Sequence, residues 1–252
     1  MMIQQKDFIT RYEKAIELRD TSNTADAIAL FRELLSELES NPNIWKDDEV
    51  IISENGTHIS KAFFYDDFAY ALGDNELLEE ALQMESKALE QLSKEKNRSH
   101  LEVIYLNFSD YAMQLKNFKE ALLVLQKGIQ EIESNQFKHR TDIVPAIYIN
   151  VGLSNYFLGN ADEAEKYLKI AANLLETGIN YEEFNQDSFE ANYFLSEIYK
   201  EKGNNSEYEK FKNQAKELLT FISADEITYS ATIYPEKIQE KVIDFHKQNS
   251  KN

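Results

Sequence analysis

The sequence predicts an all-α protein built of helical hairpins, and three observations predict it. Apolar residues recur at three- and four-residue spacing along nearly every long segment, the period of a helix with one buried face. Short polar breaks punctuate those segments at intervals that suit helix–helix turns. Glycine and proline are scarce, 7 and 3 of 252 residues, too few for the many turns of a parallel α/β enzyme or a β-sandwich. Apolar residues at 42% and aromatics at 12% are enough for a sizeable core.

Taken in order, the breaks are Asp20-Thr-Ser-Asn23, Gly73-Asp-Asn75, Lys116-Asn117, Gly159-Asn160 and Gly203-Asn-Asn205. Asn, Asp or Gly at these places is expected to supply helix caps and left-handed positions. Between breaks, Phe118, Ala121, Leu122, Leu125, Ile129 and Ile132 share one helical face, as do Ala164, Leu168, Ala171, Ala172 and Leu175. Strand alternation does not exceed four or five residues, and Val50-Ile51-Ile52 is the one short β-like run. The final segment departs from the pattern. Residues 223–234 show no clear period, whereas Pro235 suits a first helical turn and Ile238, Val242 and Phe245 form an apolar stripe. That stripe reads as a helix capping the last hairpin, or as an arm that docks into a groove or a partner.

Aligned on the breaks, the chain repeats itself. An Ala usually follows the turn and another small residue usually comes seven later, the pairs being Ala27/Leu34, Ala81/Ala88, Ala121/Gly128, Ala164/Ala171 and Tyr208/Ala215. Small residues there let two helix backbones approach closely. The fourth repeat is clearest, with Gly152, Asn155, Leu158-Gly159-Asn160, Ala164, Leu168 and Ala171. The third has Ser109, Ala112, Phe118, Ala121, Leu125 and Gly128, and the second has Ala69, Leu72, Gly73, Ala81 and Ala88. The first (Ala15, Leu18, Ala27, Phe31, Leu34) and fifth (Ser196, Tyr199, Tyr208, Lys212, Ala215) are degraded, as end units facing water on one side often are.

This pattern resembles the tetratricopeptide repeat over roughly residues 8–220. The resemblance implies a right-handed superhelix, an α-solenoid of five hairpins plus a C-terminal capping helix, with repeats in residues 1–222 and the cap in 223–252. Successive turn positions (27, 81, 121, 164, 208) are spaced 54, 40, 43 and 44, longer than the family's usual 34. That spacing is similar to the long-helix variety found in kinesin light chains and in peptide-sensing regulators of Gram-positive bacteria. The largest excess, residues 41–58, reads as a loop insertion. It carries Trp45, the single tryptophan, either packed on the first hairpin or exposed to a partner.

Charge and chemistry narrow the function. Lys and Arg total 27 against 45 Asp and Glu, a net −18, which opposes nucleic acid and anionic membranes. The acidity serves solubility or attracts a basic partner. Residues 62–86 alone hold seven acids and no Lys or Arg. Cysteine is absent, excluding disulfides and thiolate chemistry. The start of the chain lacks a signal-peptide pattern and no apolar run approaches about 18 residues, so a cytoplasmic protein without membrane segments is expected. The sequons at Asn55, Asn97, Asn107 and Asn204 are then chance matches. His58, His100, His139 and His246 are dispersed, and no phosphate loop, dinucleotide fingerprint or nucleophile elbow occurs. Asp66-Asp67 would want a further acid one turn on, where Tyr70 stands, so they read as groove or surface carboxylates. A non-enzymatic protein with no cofactor and no metal is expected.

The resemblance also implies where a ligand would lie, on the first helix of each hairpin, which lines the concave face. That face takes Tyr12, Ile16, Asp66, Asp67, Tyr70, Leu106, Asn107, Asp110, Met113, Ile149, Asn150, Leu153, Tyr156, Tyr193 and Glu197. Some of these are expected to pack against neighbouring helices instead. Asn107 and Asn150 hold the same place in successive repeats, and Asp67 holds it in the second. In the long-repeat receptors that the chain resembles, such asparagines bind ligand backbone; here they do so or bond to adjacent helices. Several family members grip a carboxylate through Lys and Arg, which this residue set lacks, so that activity does not carry over. The expected function is a module that holds a peptide or helix of a partner protein, the alternative being an acidic inhibitor or immunity-type protein blocking a basic partner such as a nuclease.

Overall fold

The computed structural model describes residues 2–52, 58–96, 98, 101–134, 142–178 and 184–250. Ten helices follow one another, joined in pairs by five tight turns: α1 (Met2–Asp20) to α2 (Thr24–Ser40), α3 (Lys61–Gly73) to α4 (Leu78–Leu92), α5 (Leu101–Gln114) to α6 (Phe118–Glu133), α7 (Val144–Phe157) to α8 (Ala161–Gly178), and α9 (Asn185–Glu201) to α10 (Asn205–Leu218). Two helices complete the chain, α11 (Ala224–Ser230) and α12 (Glu236–Asn249). The all-α helical-hairpin repeat expected from the sequence is the fold observed. The chain forms two compact units, the first running to Tyr111 and the second starting at Ala112.

All five hairpin turns have the same geometry. One residue takes a left-handed conformation: Ser22 (φ 61°), Glu76 (φ 60°), Lys116 (φ 62°), Gly159 (φ 82°) and Gly203 (φ 70°). The amide of the next residue donates to the carbonyl five residues back, at 2.7–3.0 Å: Asn23 to Leu18, Leu77 to Leu72, Asn117 to Ala112, Asn160 to Asn155 and Asn204 to Tyr199. That bond satisfies carbonyls the first helix leaves open. Four residues further, the amides of Ala27, Ala81, Ala121, Ala164 and Tyr208 close the first turn of the second helix. The register read from the sequence is therefore the register of the structure. One detail differs: Gly73 ends α3, and the left-handed residue is Glu76. Gly73 is needed for packing, since a Cβ there would lie 2.4 Å from the Tyr111 ring. Of the turn asparagines, Asn204 caps with its side chain, accepting from the Glu207 amide at 3.3 Å, whereas Asn23 and Asn117 do not.

Close helix approach follows from the repeated small residues. Ala15, Ala69, Ser109 and Ser196 are buried on the first helices, and Ala27, Ala81, Ala121 and Ala164 on the second. At Gly152 a Cβ would stand 2.6 Å from Leu168 of the paired helix.

The first unit's core is aromatic, with Phe8, Tyr12, Phe31, Trp45, Phe64 and Phe68 buried together. Phe31 stacks on Phe68 at 5.2 Å, and Trp45 meets Phe8 at 6.0 Å. Trp45 is thus a packed core residue, and its indole N–H donates to the Glu49 carbonyl at 2.9 Å. The described part of the 41–58 insertion is structured. A short 3-10 turn spans Pro42–Ile44, and β1 (Ile51–Ile52) pairs antiparallel with β2 (His58–Ile59). Lys61 Nζ binds Asp47 at 2.8 Å and Gln91 Nε2 donates to the Asp47 carbonyl at 2.7 Å, tying the insertion to α3 and α4. Residues 53–57, His100, His139, Asn55 and Asn97 lie outside the described residues.

In the second unit the C-terminal segment packs on first helices. Tyr234 is buried against Phe157 (5.8 Å) and Phe194 (5.1 Å), and Phe245 of α12 lies 5.1 Å from Tyr193. Lys116 Nζ, in the third turn, donates to the Thr232 carbonyl. The aperiodic stretch holds α11, opened by a capping box in which Ser223 and Glu226 exchange bonds. That Ser-x-x-Glu signature was present in the sequence and marks a helix too short to show a period.

Candidate functional site

In the first unit, α3 places two adjacent carboxylates about 100° apart around the helix, so they serve different neighbours. Asp67 faces α1. It accepts from the Tyr12 hydroxyl and pairs with Arg19 Nη1 at 2.6 Å. Asp66 faces α5, where Asn107 Nδ2 donates to it at 2.9 Å. Glu85 of α4 is fully buried, and its carboxyl has no good hydrogen-bond geometry to any described group. Burial, then the Asp67 charge, pushes Asp66 up to about 7. Burial, then the Asp66 charge, holds Glu85 well above the carboxylate range. Asp66 is therefore about half protonated at neutral pH and Glu85 is held toward its neutral form, which is how buried acids without a cation persist.

Above this cluster sits a held aromatic. The Arg19 guanidinium lies 4.9 Å from the centre of the Tyr70 ring. Arg19 itself is fixed by Asp67 and by Asp20 at 2.9 Å, and its side chain is 13% exposed. Tyr70 is 46% exposed. The result is a rigid Tyr–Arg surface on α1 and α3, braced from below by Asp67 and Tyr12. Arg19 did not figure in the sequence-based set, because it lies near the end of α1, one turn beyond the repeat's small residue.

The remaining predicted residues divide by burial. Tyr12, Met113, Ile149 and Leu153 are core residues with at most 1% exposure, so they pack against neighbouring helices and offer no ligand surface. Asn150 is buried, and Asn107 is occupied by Asp66. Leu106 and Asp110 of α5 are half-buried. Tyr156 is half-buried, its hydroxyl donating to Glu201 at 3.2 Å and its ring 5.3 Å from Phe194. Tyr193 is covered by Phe245.

Tyr193 and Glu197 lead to a second feature, a cavity of about 430 Å³ among α9, α10 and α12. Its lining includes Tyr193, Glu197, Lys200, Tyr208, Lys212, Lys216, Lys241 and Phe245. Tyr208 stands where other repeats carry the buried turn alanine, and that substitution was the legible signal. Its ring is flanked by Lys212 Nζ at 4.8 Å and Lys200 Nζ at 6.0 Å. Among the described residues no group of three His, Asp or Glu side chains is placed to hold a metal ion, and no helix is long and apolar enough to cross a membrane.

No protein-family model matches the sequence, and no curated protein matches it. Solved structures match it well in shape. A crystal structure of MamA protein is 15% identical, covering 86% of this chain and 93% of that one, with a TM-score of 0.59. YrrB, described as a TPR protein with an unusual peptide-binding site, is 16% identical over 84% of this chain and 87% of its own, with a TM-score of 0.57. A putative kinesin light chain of Podospora anserina with nearly identical TPR-like repeats is 13% identical over 85% and 95%, with a TM-score of 0.59. The chain thus has the fold of the tetratricopeptide-repeat class, and at these identities the likeness is one of fold.

Proposed function

We propose that the chain is a non-enzymatic protein–protein interaction module that holds a peptide or helix of a partner on the first helices of its repeats. The observation that carries the reading is the Tyr70–Arg19 surface. Tyrosine and arginine are the side chains that most often anchor interfaces, and here both are held in place before any partner arrives. Asp67 and the surrounding acids favour a basic or polar partner segment. In this reading the repeats through residue 222 form the binding body, and residues 223–252 cap it.

The test is an array of 15-residue peptides probed with the native protein and with Tyr70→Ala, an exposed position whose change leaves the core intact. Peptides retained by the native chain and lost at least tenfold by the variant support the reading. Equal retention removes the α1–α3 face from it. The second reading, a stoichiometric inhibitor of a basic protein, is favoured by the charge: residues 1–199 hold 36 acids and 18 basic side chains, the whole of the −18. Tight 1:1 binding with a steep loss of association rate in salt would favour it over peptide capture.

A further inference from the structure

We infer that the cavity among α9, α10 and α12 binds an acidic protein segment, taking its carboxylates on the lysines and a neighbouring aromatic or apolar side chain against Phe245. The inference rests on the interaction-module reading and adds a second contact, of opposite charge preference, in the second unit. At about 430 Å³ the cavity falls in the range of ligand sites.

Its charge is unlike that of the rest of the chain. Lys200, Lys212, Lys216 and Lys241 line it against two carboxylates, Glu197 and Asp244. The wider context agrees: residues 200–252 hold nine lysines and nine acids, while all the excess negative charge lies in residues 1–199. These lysines are weakly engaged. Lys200 meets Glu197 at 3.4 Å and Lys212 meets Glu209 at 3.8 Å, both within one helix. Among the described residues Lys216 and Lys241 make no ion pair. Four lysines against two carboxylates leave the lining with an excess of positive charge, which an anionic ligand would balance.

The type of anion follows from the donors. Apart from Tyr208 in the first turn of α10, whose amide donates to the Asn204 carbonyl, the lining comes from the interiors and C-terminal parts of helices, whose amides are consumed by the helices themselves, so the lining offers no backbone cradle for a phosphate. Separate flexible lysines from three helices suit separate carboxylates. Phe245, backed by buried Tyr193, adds an apolar wall that a bare inorganic anion would leave unused.

Fluorescence anisotropy of the full chain with labelled Glu-Glu-Phe-Glu-Glu tests this, with Gln-Gln-Phe-Gln-Gln as the neutral probe. Expected are saturable binding of the acidic peptide only, and at least tenfold weakening in Lys212→Gln/Lys216→Gln. Lys237→Gln/Lys247→Gln removes the same charge outside the cavity and should change affinity less than twofold. Should loss of the Lys212–Tyr208 contact lower the melting temperature, Lys216→Gln/Lys241→Gln serves the same comparison. No saturable binding, equal loss in the cavity and control pairs, or displacement of the peptide by equimolar inorganic phosphate would overturn the assignment. Any of these with peptide retention at Tyr70 intact leaves the interaction-module reading standing.

Discussion

Glu85 is the residue least at ease in its surroundings. Its carboxyl is buried, faces Asp66, and meets no cation. A carboxyl whose folded pKa stands above its unfolded value stabilises the fold below about pH 4 and loses that contribution as pH rises through the folded pKa. For Asp66 that loss runs up to about 7, and for Glu85 it too extends above the ordinary carboxylate range. Glu85→Gln keeps the shape and removes the titration. It should melt higher than the native chain at pH 8 and much the same at pH 5, as circular dichroism would show. An unchanged difference across that range would mean that the folded Glu85 carboxyl titrates as it does in the unfolded chain. Asn107 illustrates the limit of sequence reasoning at this scale. Its place in the repeat was legible, but its bond to Asp66 depends on which neighbour α3 presents to α5.

At the scale of elements, the five turns are one motif written in different residues. Only Gly159 and Gly203 meet its left-handed position at no steric cost; Ser22, Glu76 and Lys116 take it under strain. Exposed Glu76→Gly should therefore stabilise by about 0.5–1 kcal/mol, less than the full left-handed penalty because glycine loses more freedom on folding. Gly159→Ala should cost about 1 kcal/mol although open space surrounds it. Urea titrations of the two variants check both signs. Ala164→Phe at the fully buried turn position should overpack α7 against α8 and cost about 1–3 kcal/mol or more. A neutral Ala164→Phe would mean that the two backbones are not closely apposed there. The C-terminal helices behave as part of the fold, since deleting residues 223–252 uncovers Phe157, Tyr193 and Phe194. The truncated chain should melt lower and bind an apolar dye that the full chain does not.

Across the whole molecule the raised carboxyls recur. Burial lifts Asp187 to about 6 and Glu190 to about 7 in the second unit, as it lifts Asp66 in the first. Glu165 goes the other way: despite its own burial, bonds from Lys169, Lys202 and Tyr199 hold it at about 2. Its contribution is present above about pH 4 and fails only in stronger acid. The melting temperature should accordingly peak near about pH 5 and fall toward pH 8, the net −18 adding self-repulsion in the same direction. A profile that is flat or rises from pH 5 to 8 would show that these acids are hydrated in the folded chain. Trp45, buried in the first unit's aromatic core, reports that unit's unfolding by its emission shift, separately from the helical signal of the whole chain.

Periodicity and small-residue spacing determined the fold class, the five hairpins and the turn register, because these rest on local geometry. A helix needs its 3.6-residue stripe, a tight turn needs one left-handed residue, and two backbones in contact need Ala, Ser or Gly between them. Only the tertiary structure decided which first-helix residues face outward. Tyr12, Met113, Ile149 and Leu153 went to the core, while Arg19 came over Tyr70 and four lysines lined one cavity, two of them beside Tyr208. Those outcomes depend on side chains from helices far apart in the chain, and a repeat pattern fixes each residue's position on its own helix without fixing the neighbour it meets.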